Sequence, residues 1–481
     1  MKIIEKCSSM KSKDGKLGVT LLIFIAIGSM IGSGIFNAPK DLIQVANPLS
    51  VLITWIIGGL GAMSLAFVFI YLNQKKPELK SGIFAYARDG FGDYMGFASA
   101  WGYWSLGWLG NVSYFLIFFK TLNDILGANA LSPLTCFLIA SVILWGYYLI
   151  ILAGVKEGAI INFIVTVAKL LPILLVIIAG IYLFDINNFH YINWQNILAS
   201  TGKTTTLPIQ IKNAMAIVLW CFIGIEAASV LSSRATSMKA VRKATLISLI
   251  IVLATYIAIT GLTMGSVPAK SLVESQTPLA LVLEQTFLGN IGGYIIKFGL
   301  MISVIGSSLS WLLLSTETLY AAASDGVLPK IFKKINKNAT PINSLLFSQI
   351  FTQIFLLSIL LPGMNKTYVS VITMGTTLVL IPYLLSSIYT IKIAWKENGE
   401  NQFNKIIAII GTIYSIYVIY TVGIKYLLFT VIFYFLGSGL FIWAKKEQNQ
   451  KIPSWETKLI ISLSVLAVII IVLLYIGKIT I

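Results

Sequence analysis

Long apolar runs recur along the whole chain, each near the ~20 residues that carry a helix across a bilayer. They fall at residues 18–45, 50–72, 94–122, 132–153, 159–183, 211–231, 243–266, 291–322, 342–361, 367–391, 404–422, 425–444 and 457–476. The runs are continuously apolar rather than alternating, and they exceed the ~10 residues of a barrel strand. The expected fold is therefore an all-α polytopic membrane protein with 12–13 transmembrane helices, 13 being preferred. The last three runs have the shortest connections, so the count turns on them. Only 11% of the 481 residues are charged, against about 25% in a soluble domain. The mean hydropathy of +0.88 places the chain in lipid.

The net charge of +17 would suggest nucleic-acid binding in a soluble protein. Its distribution says otherwise. With the N-terminus in the cytoplasm, 25 of the 35 basic residues fall on the inner side and 8 on the outer, while Lys40 and Lys169 lie within runs. That asymmetry predicts an integral protein of the cell (inner) membrane with a cytoplasmic N-terminus. The first run is too long for the core of a signal peptide. No nucleic-acid partner is expected, and a homodimer is compatible with the pattern. Cys7, Cys136 and Cys221 share no metal spacing and read as small apolar residues. No cofactor or metal is expected. The one histidine, His190, lies in the longest loop, 184–210. It reads as an exposed loop residue before a pH sensor.

Two runs are weakened in the middle. The first contains Gly28-Ser29-Met30-Ile31-Gly32-Ser33-Gly34-Ile35-Phe36 and then Pro39, a density of glycine that disfavours helix. Unwinding at bilayer depth is tolerated only where the freed backbone lines a cavity or binds something. Close helix packing through small residues is the competing reading. The sixth run contains Trp220-Cys221-Phe222-Ile223-Gly224-Ile225-Glu226. A carboxyl inside an apolar run must face a cavity or a partner. Interrupted helices at corresponding places in two halves of a chain point to a transporter's substrate site. Amides at a half-helix start favour a carboxylate, freed carbonyls accept from an ammonium, and tryptophan or tyrosine faces suit cations.

These residues resemble those of the amino acid–polyamine–organocation superfamily. Gly32-Ser33-Gly34-Ile35-Phe36 is similar to its first-helix break. Trp220 to Glu226 resembles the sixth-helix segment of its basic amino acid/polyamine antiporters. Ser99 to Val112 resembles the third helix, most closely that of arginine–ornithine antiporters. Ser310-Trp311 and Ala321 to Pro329 resemble the eighth helix and its exit loop. The likeness covers roughly residues 16–445. It implies a five-plus-five inverted-repeat core with discontinuous helices 1 and 6.

The resemblance also implies roles. Gly32, Ser33 and Gly34 would meet the substrate carboxylate. Carbonyls near Ile31 and at Phe222, Ile223 and Gly224 would take the ammonium. Trp220 and Trp311 would wall the pocket, with Asn111 polar in its side. Tyr103 and Glu226 would form a gating layer. For Asn111 and Tyr103 a plain interhelical hydrogen bond is the alternative. Lys169 would replace the sodium ion of sodium-coupled relatives, or pair structurally. Glu317 would line the inner vestibule, or form an ion pair near the interface.

The expected organisation is a basic tail at 1–16, a transport core at 17–391 and additional membrane helices at 392–481. The expected function is alternating-access exchange of a basic amino acid, arginine or lysine, for ornithine or a related amine. A proton-coupled permease, or an exchanger of neutral or acidic amino acids, is the alternative within the class. A membrane sensor lacks the cytoplasmic domain it would need, and a channel lacks a filter segment. Nothing in the runs resembles a nucleophile–base or metal set, so no enzyme is expected.

Overall fold

A computed structural model describes residues 16–79, 81–189, 206–275, 277–360, 364–397 and 399–476, without the side chains of 364–372. Cys7, His190 and nearly all of the N-terminal tail lie outside these residues. Among the described residues the chain is helical, with isolated bridges only at Leu17–Ala235 and Ile335–Pro341. The order is α1 (Val19–Met30), α2 (Gly34–Ile43), α3 (Pro48–Lys75), α4 (Ile83–Phe91), α5 (Asp93–Leu126), α6 (Pro133–Ala153) and α7 (Val155–Leu183). Then come α8 (Leu207–Phe222), α9 (Ala227–Val230), α10 (Met238–Ser266), α11 (Ala269–Glu274), α12 (Pro278–Glu284) and α13 (Gly289–Ser324). The chain ends with α14 (Ile342–Leu356), α15 (Met364–Lys396), α16 (Gln402–Val422), α17 (Ile424–Glu447) and α18 (Ser454–Tyr475).

Among the described residues, eleven helical segments are long and apolar enough to cross a membrane, the first being Val19–Ile43 counted across its break. The two other expected runs are also helical. One is α8, which stops after 16 residues because the chain unwinds at Ile223. The other is α5, whose 34 residues are rich in Gly, Ser, Tyr and Trp. Its composition follows from its place. Nearly every residue from Tyr94 to Phe119 is buried, because α5 packs on α13, α15, α4, α14 and α17. Small and polar residues suit a helix that faces other helices rather than lipid.

Local signals set several helix starts. Asn47 Oδ1 accepts from the Ser50 amide at 2.8 Å, with Pro48 in the first turn of α3. Ser132 does the same for α6, and Ser237 for α10. The centre of the molecule is where α1 packs against α7, α9, α10 and α13, and α2 against α8, α10 and α12. The terminal helix α18 packs chiefly on α17.

Candidate functional site

Helix α1 stops at Met30, Ile31 leaves helical geometry (φ −86°, ψ 84°), and α2 restarts at Gly34. Helix α8 stops at Phe222. Ile223 is extended, Gly224 has φ +111°, and a short turn of helix resumes at Ala227. Gly224 is required at its position: a β-carbon there would lie 2.6 Å from Ser29 Oγ and 3.1 Å from the Met30 amide. The two gaps therefore pack directly on each other. Ser29 Oγ donates to the Gly224 carbonyl at 3.4 Å and to the Ala26 carbonyl at 2.9 Å.

Between the gaps lies a small cavity. From the sequence-predicted set it gathers Gly32, Gly34, Trp220, Ile223 and Trp311, and it adds Ser29, Met30 and Tyr114. Tyr114 approaches so closely that a β-carbon on Gly32 would sit 2.8 Å from its hydroxyl. The Trp311 indole donates to the Ser29 carbonyl at 3.2 Å, and its ring lies 5.7 Å from that of Tyr103. The cavity leaves ≈10 Å³ for the centre of a water molecule, room for about one water. An amino acid enters only if the walls part.

The other predicted residues surround this cavity without lining it. Ser33 is buried at the start of α2. Phe222 packs edge-on to Trp55, ring centres 5.9 Å apart. Asn111 is fully buried one turn before Tyr114, and neither atom of its amide is hydrogen-bonded within the protein among the described residues. The interhelical bond that was its alternative reading is absent there. A buried amide without a partner is rare.

Two buried charges brace the gaps. The Lys169 ammonium, from α7, reaches the first gap. It donates to the Gly28 carbonyl at 2.9 Å, to Ser307 Oγ at 3.1 Å and to the Ile31 carbonyl. Ser307 Oγ also lies 2.9 and 3.0 Å from the same two carbonyl oxygens and shares its one proton between them. The Ile31 carbonyl, expected to meet a substrate ammonium, is thus engaged by a protein ammonium in this conformation. The Glu226 carboxyl turns back on the second gap. Its Oε2 accepts from the Gly224 amide at 3.2 Å and from the Tyr383 hydroxyl, and Tyr103 flanks the same group. No basic side chain lies within ion-pair distance of Glu226 among the described residues.

Glu317 lies apart from the cavity. It makes a two-pronged ion pair with Arg234, Nε to Oε2 at 3.0 Å and Nη2 to Oε1 at 2.9 Å. Arg234 also donates to the Ala339 carbonyl at 3.1 Å, and its own carbonyl accepts from the Leu17 amide at 2.7 Å. One residue therefore ties the entry to α1, the end of α13 and the 330s loop together.

Sequence reasoning missed Ser303, Ser307, Tyr114, Tyr256 and Tyr383. Some left a signal. Ser303, Ser307 and Trp311 recur every four residues on α13, and Tyr103, Asn111 and Tyr114 share one face of α5. Tyr256 donates to the Met30 carbonyl at 3.2 Å. It and Tyr383 come from distant helices, and no local pattern marks them.

The amino acid permease family profile matches residues 17–425. An arginine/ornithine antiporter of Pseudomonas aeruginosa is 38% identical over 470 residues, covering 95% of this chain and 96% of that protein. An arginine/ornithine antiporter of Latilactobacillus sakei is 35% identical over 438 residues, covering 90% and 91%. An integral membrane protein with two interrupted helices closing on one cavity fits that match, and the chain belongs to the amino acid permease family.

Proposed function

We propose that this protein exchanges a basic amino acid, arginine or lysine, for ornithine or a related amine by alternating access. The observation that carries the reading is the cavity shared by the two helix gaps, walled by Trp220, Trp311 and Tyr114. The names of the relatives supply the substrate pair. The first amides of α2, from Gly34 onward, suit the substrate carboxylate. The two indoles suit the aliphatic stem and cationic head. Asn111 would hydrogen-bond the ligand, and Glu226 would answer its positive charge. Gly32, Ser33, Phe222, Ile223 and Gly224 supply backbone around it. The ammonium of a substrate would compete with Lys169 for the Ile31 carbonyl, which couples loading to the state of Lys169.

The reading includes thirteen crossings of the inner membrane, a repeat core over 17–391 and a cytoplasmic N-terminus. In that orientation the Arg234–Glu317 pair seals the inner end, and Tyr103 with Glu226 forms the gate between seal and pocket. Purified protein in liposomes preloaded with ornithine should take up labelled arginine, and empty liposomes should not. Uptake independent of internal substrate would overturn exchange and favour the proton-coupled permease, for which Glu226 without a cationic partner is the specific support.

A further inference from the structure

A second cavity lies on the far side of the pocket from the Arg234–Glu317 pair. We propose that it is a vestibular site for the zwitterionic head group of a free α-amino acid. The proposal rests on the amino-acid transport reading and adds a place where substrate binds before it reaches the helix gaps.

The position comes first. This cavity leaves ≈220 Å³ for water centres, against ≈10 Å³ between the gaps, so it is much the roomier of the two. Its walls continue the walls of that pocket. On α5, Tyr114 lines the pocket, and Ile117 and Thr121 line the cavity at helical spacing on the same face. Thr121 lies about 10 Å farther along the axis than Tyr114. On α2, Gly34 lines the pocket, and Asn37, one turn on, lines the cavity. On α13, Leu300 lines the cavity three turns before Trp311 and about 25 Å from Glu317. The two chambers are stacked along three shared helices.

The charges come second. Lys120 and Asp124 sit four residues apart on α5, the spacing at which opposite charges pair readily. They do not pair. Asp124 Oδ2 is taken by Lys297 Nζ at 2.6 Å, from α13. Lys120 has no hydrogen bond or ion pair among the described residues, although Asp41, Lys40 and Asp124 all act on its charge. Lys40 is itself committed to the Ser275 carbonyl at 2.6 Å. Among the described residues, the cavity therefore holds an ammonium without a hydrogen bond or ion pair and, one turn on, a carboxylate whose ion pair uses only Oδ2. An α-amino acid carries the complementary pair on one carbon: its carboxylate meets Lys120 and its ammonium meets Asp124 Oδ1. Asn37 and Thr277 supply neutral hydrogen bonds, while Ile117 and Leu300 cover the side-chain stem. Such a site reads the head group, so it accepts arginine, ornithine and leucine alike and rejects an amine that lacks the carboxylate. Selection by side chain is left to the inner pocket.

The test uses the full chain. In detergent, labelled arginine should bind wild-type protein at two equivalents, and leucine should displace one of them. Agmatine, which is arginine without its carboxylate, should not displace that one. Lys120→Met and, independently, Asp124→Asn should each bind one equivalent, with melting temperatures showing that both fold. In liposomes Lys120→Met should raise the KM for external arginine about five- to tenfold, and Lys120→Arg should recover most of it. A single equivalent in the wild type would overturn the vestibular site. So would a KM within twofold of wild type in folded Lys120→Met. If the wild type exchanges no basic amino acid, the proposed function falls, and the leucine titration still decides whether the vestibule binds a zwitterion.

Discussion

The chain interrupts its membrane helices after Met30 and again after Phe222, and the two gaps satisfy their backbone by different means. At the first, the freed carbonyls of Gly28 and Ile31 are bound by groups from elsewhere, the Lys169 ammonium of α7 and the Ser307 hydroxyl of α13. At the second, the local chain serves itself: Glu226 accepts from the amide of Gly224, two residues before it. Unsatisfied backbone in a dry interior costs about 1–3 kcal/mol per group, so neither gap can be left open. The difference lies in what must move to change each one. The first is held by side chains of two other helices, α7 and α13. The second is held largely within its own segment, with Tyr383, Tyr103 and the Ser29 hydroxyl bearing on it from outside. An alternating-access cycle needs one contact that breaks and one element that stays whole, and the two gaps are suited to those parts.

The largest effect is expected where the first gap loses its outside support. Lys169→Ala removes the ammonium from two buried carbonyls and a hydroxyl. Exchange should fall by about 100-fold or more, and the melting temperature should drop with it, because the orphaned acceptors cost upward of about 2 kcal/mol together. Wild-type exchange in liposomes would show that the Ser307 and Ser303 hydroxyls, the latter 3.4 Å from the Ile31 carbonyl and 3.2 Å from that of Gly32, hold the gap, and that the first break needs no cation.

A smaller loss is expected from the second gap, where the strain is local. Gly224→Ala places a side chain at φ +111° and against Ser29 Oγ and the Met30 amide. Such a backbone conformation costs about 1–3 kcal/mol in a residue other than glycine. Exchange should fall about tenfold, with a KM rise for arginine, since Ile223 beside it lines the cavity. An unchanged KM would mean that the second gap does not shape the pocket.

How far the sequence reached follows the same division. The apolar runs and both gaps were legible, because long apolar stretches, glycine clusters and a mid-run carboxyl are local signals. Residues fixed by the backbone itself, such as Gly32, Gly34 and Ile223, landed on the cavity. The partners that arrive from other helices were not legible. Nothing near Tyr383 marks it as the donor to Glu226, and Arg234 reads as one more basic loop residue until it is seen against Glu317. Ile31 shows the limit most clearly. Its carbonyl lies at the break, but no local pattern could say that Lys169 holds it, since α7 and α1 are more than a hundred residues apart.

The smallest effect tests whether the two gaps act on each other. Among the described residues a direct side-chain hydrogen bond between them comes from Ser29, whose hydroxyl divides between the Ala26 carbonyl at 2.9 Å and the Gly224 carbonyl at 3.4 Å. The shorter bond is within α1, and the longer is near the limit of a hydrogen bond. If the gaps are independent, Ser29→Ala costs less than about 1 kcal/mol. The melting temperature then falls by roughly 2 °C, and the KM for arginine changes less than twofold. The Trp311 contact survives, because it uses the Ser29 backbone carbonyl rather than the hydroxyl. A loss approaching that of Gly224→Ala would reverse the comparison. It would mean that the self-contained second gap is steered through Ser29 by the first, so that releasing Lys169 moves both halves of the pocket together.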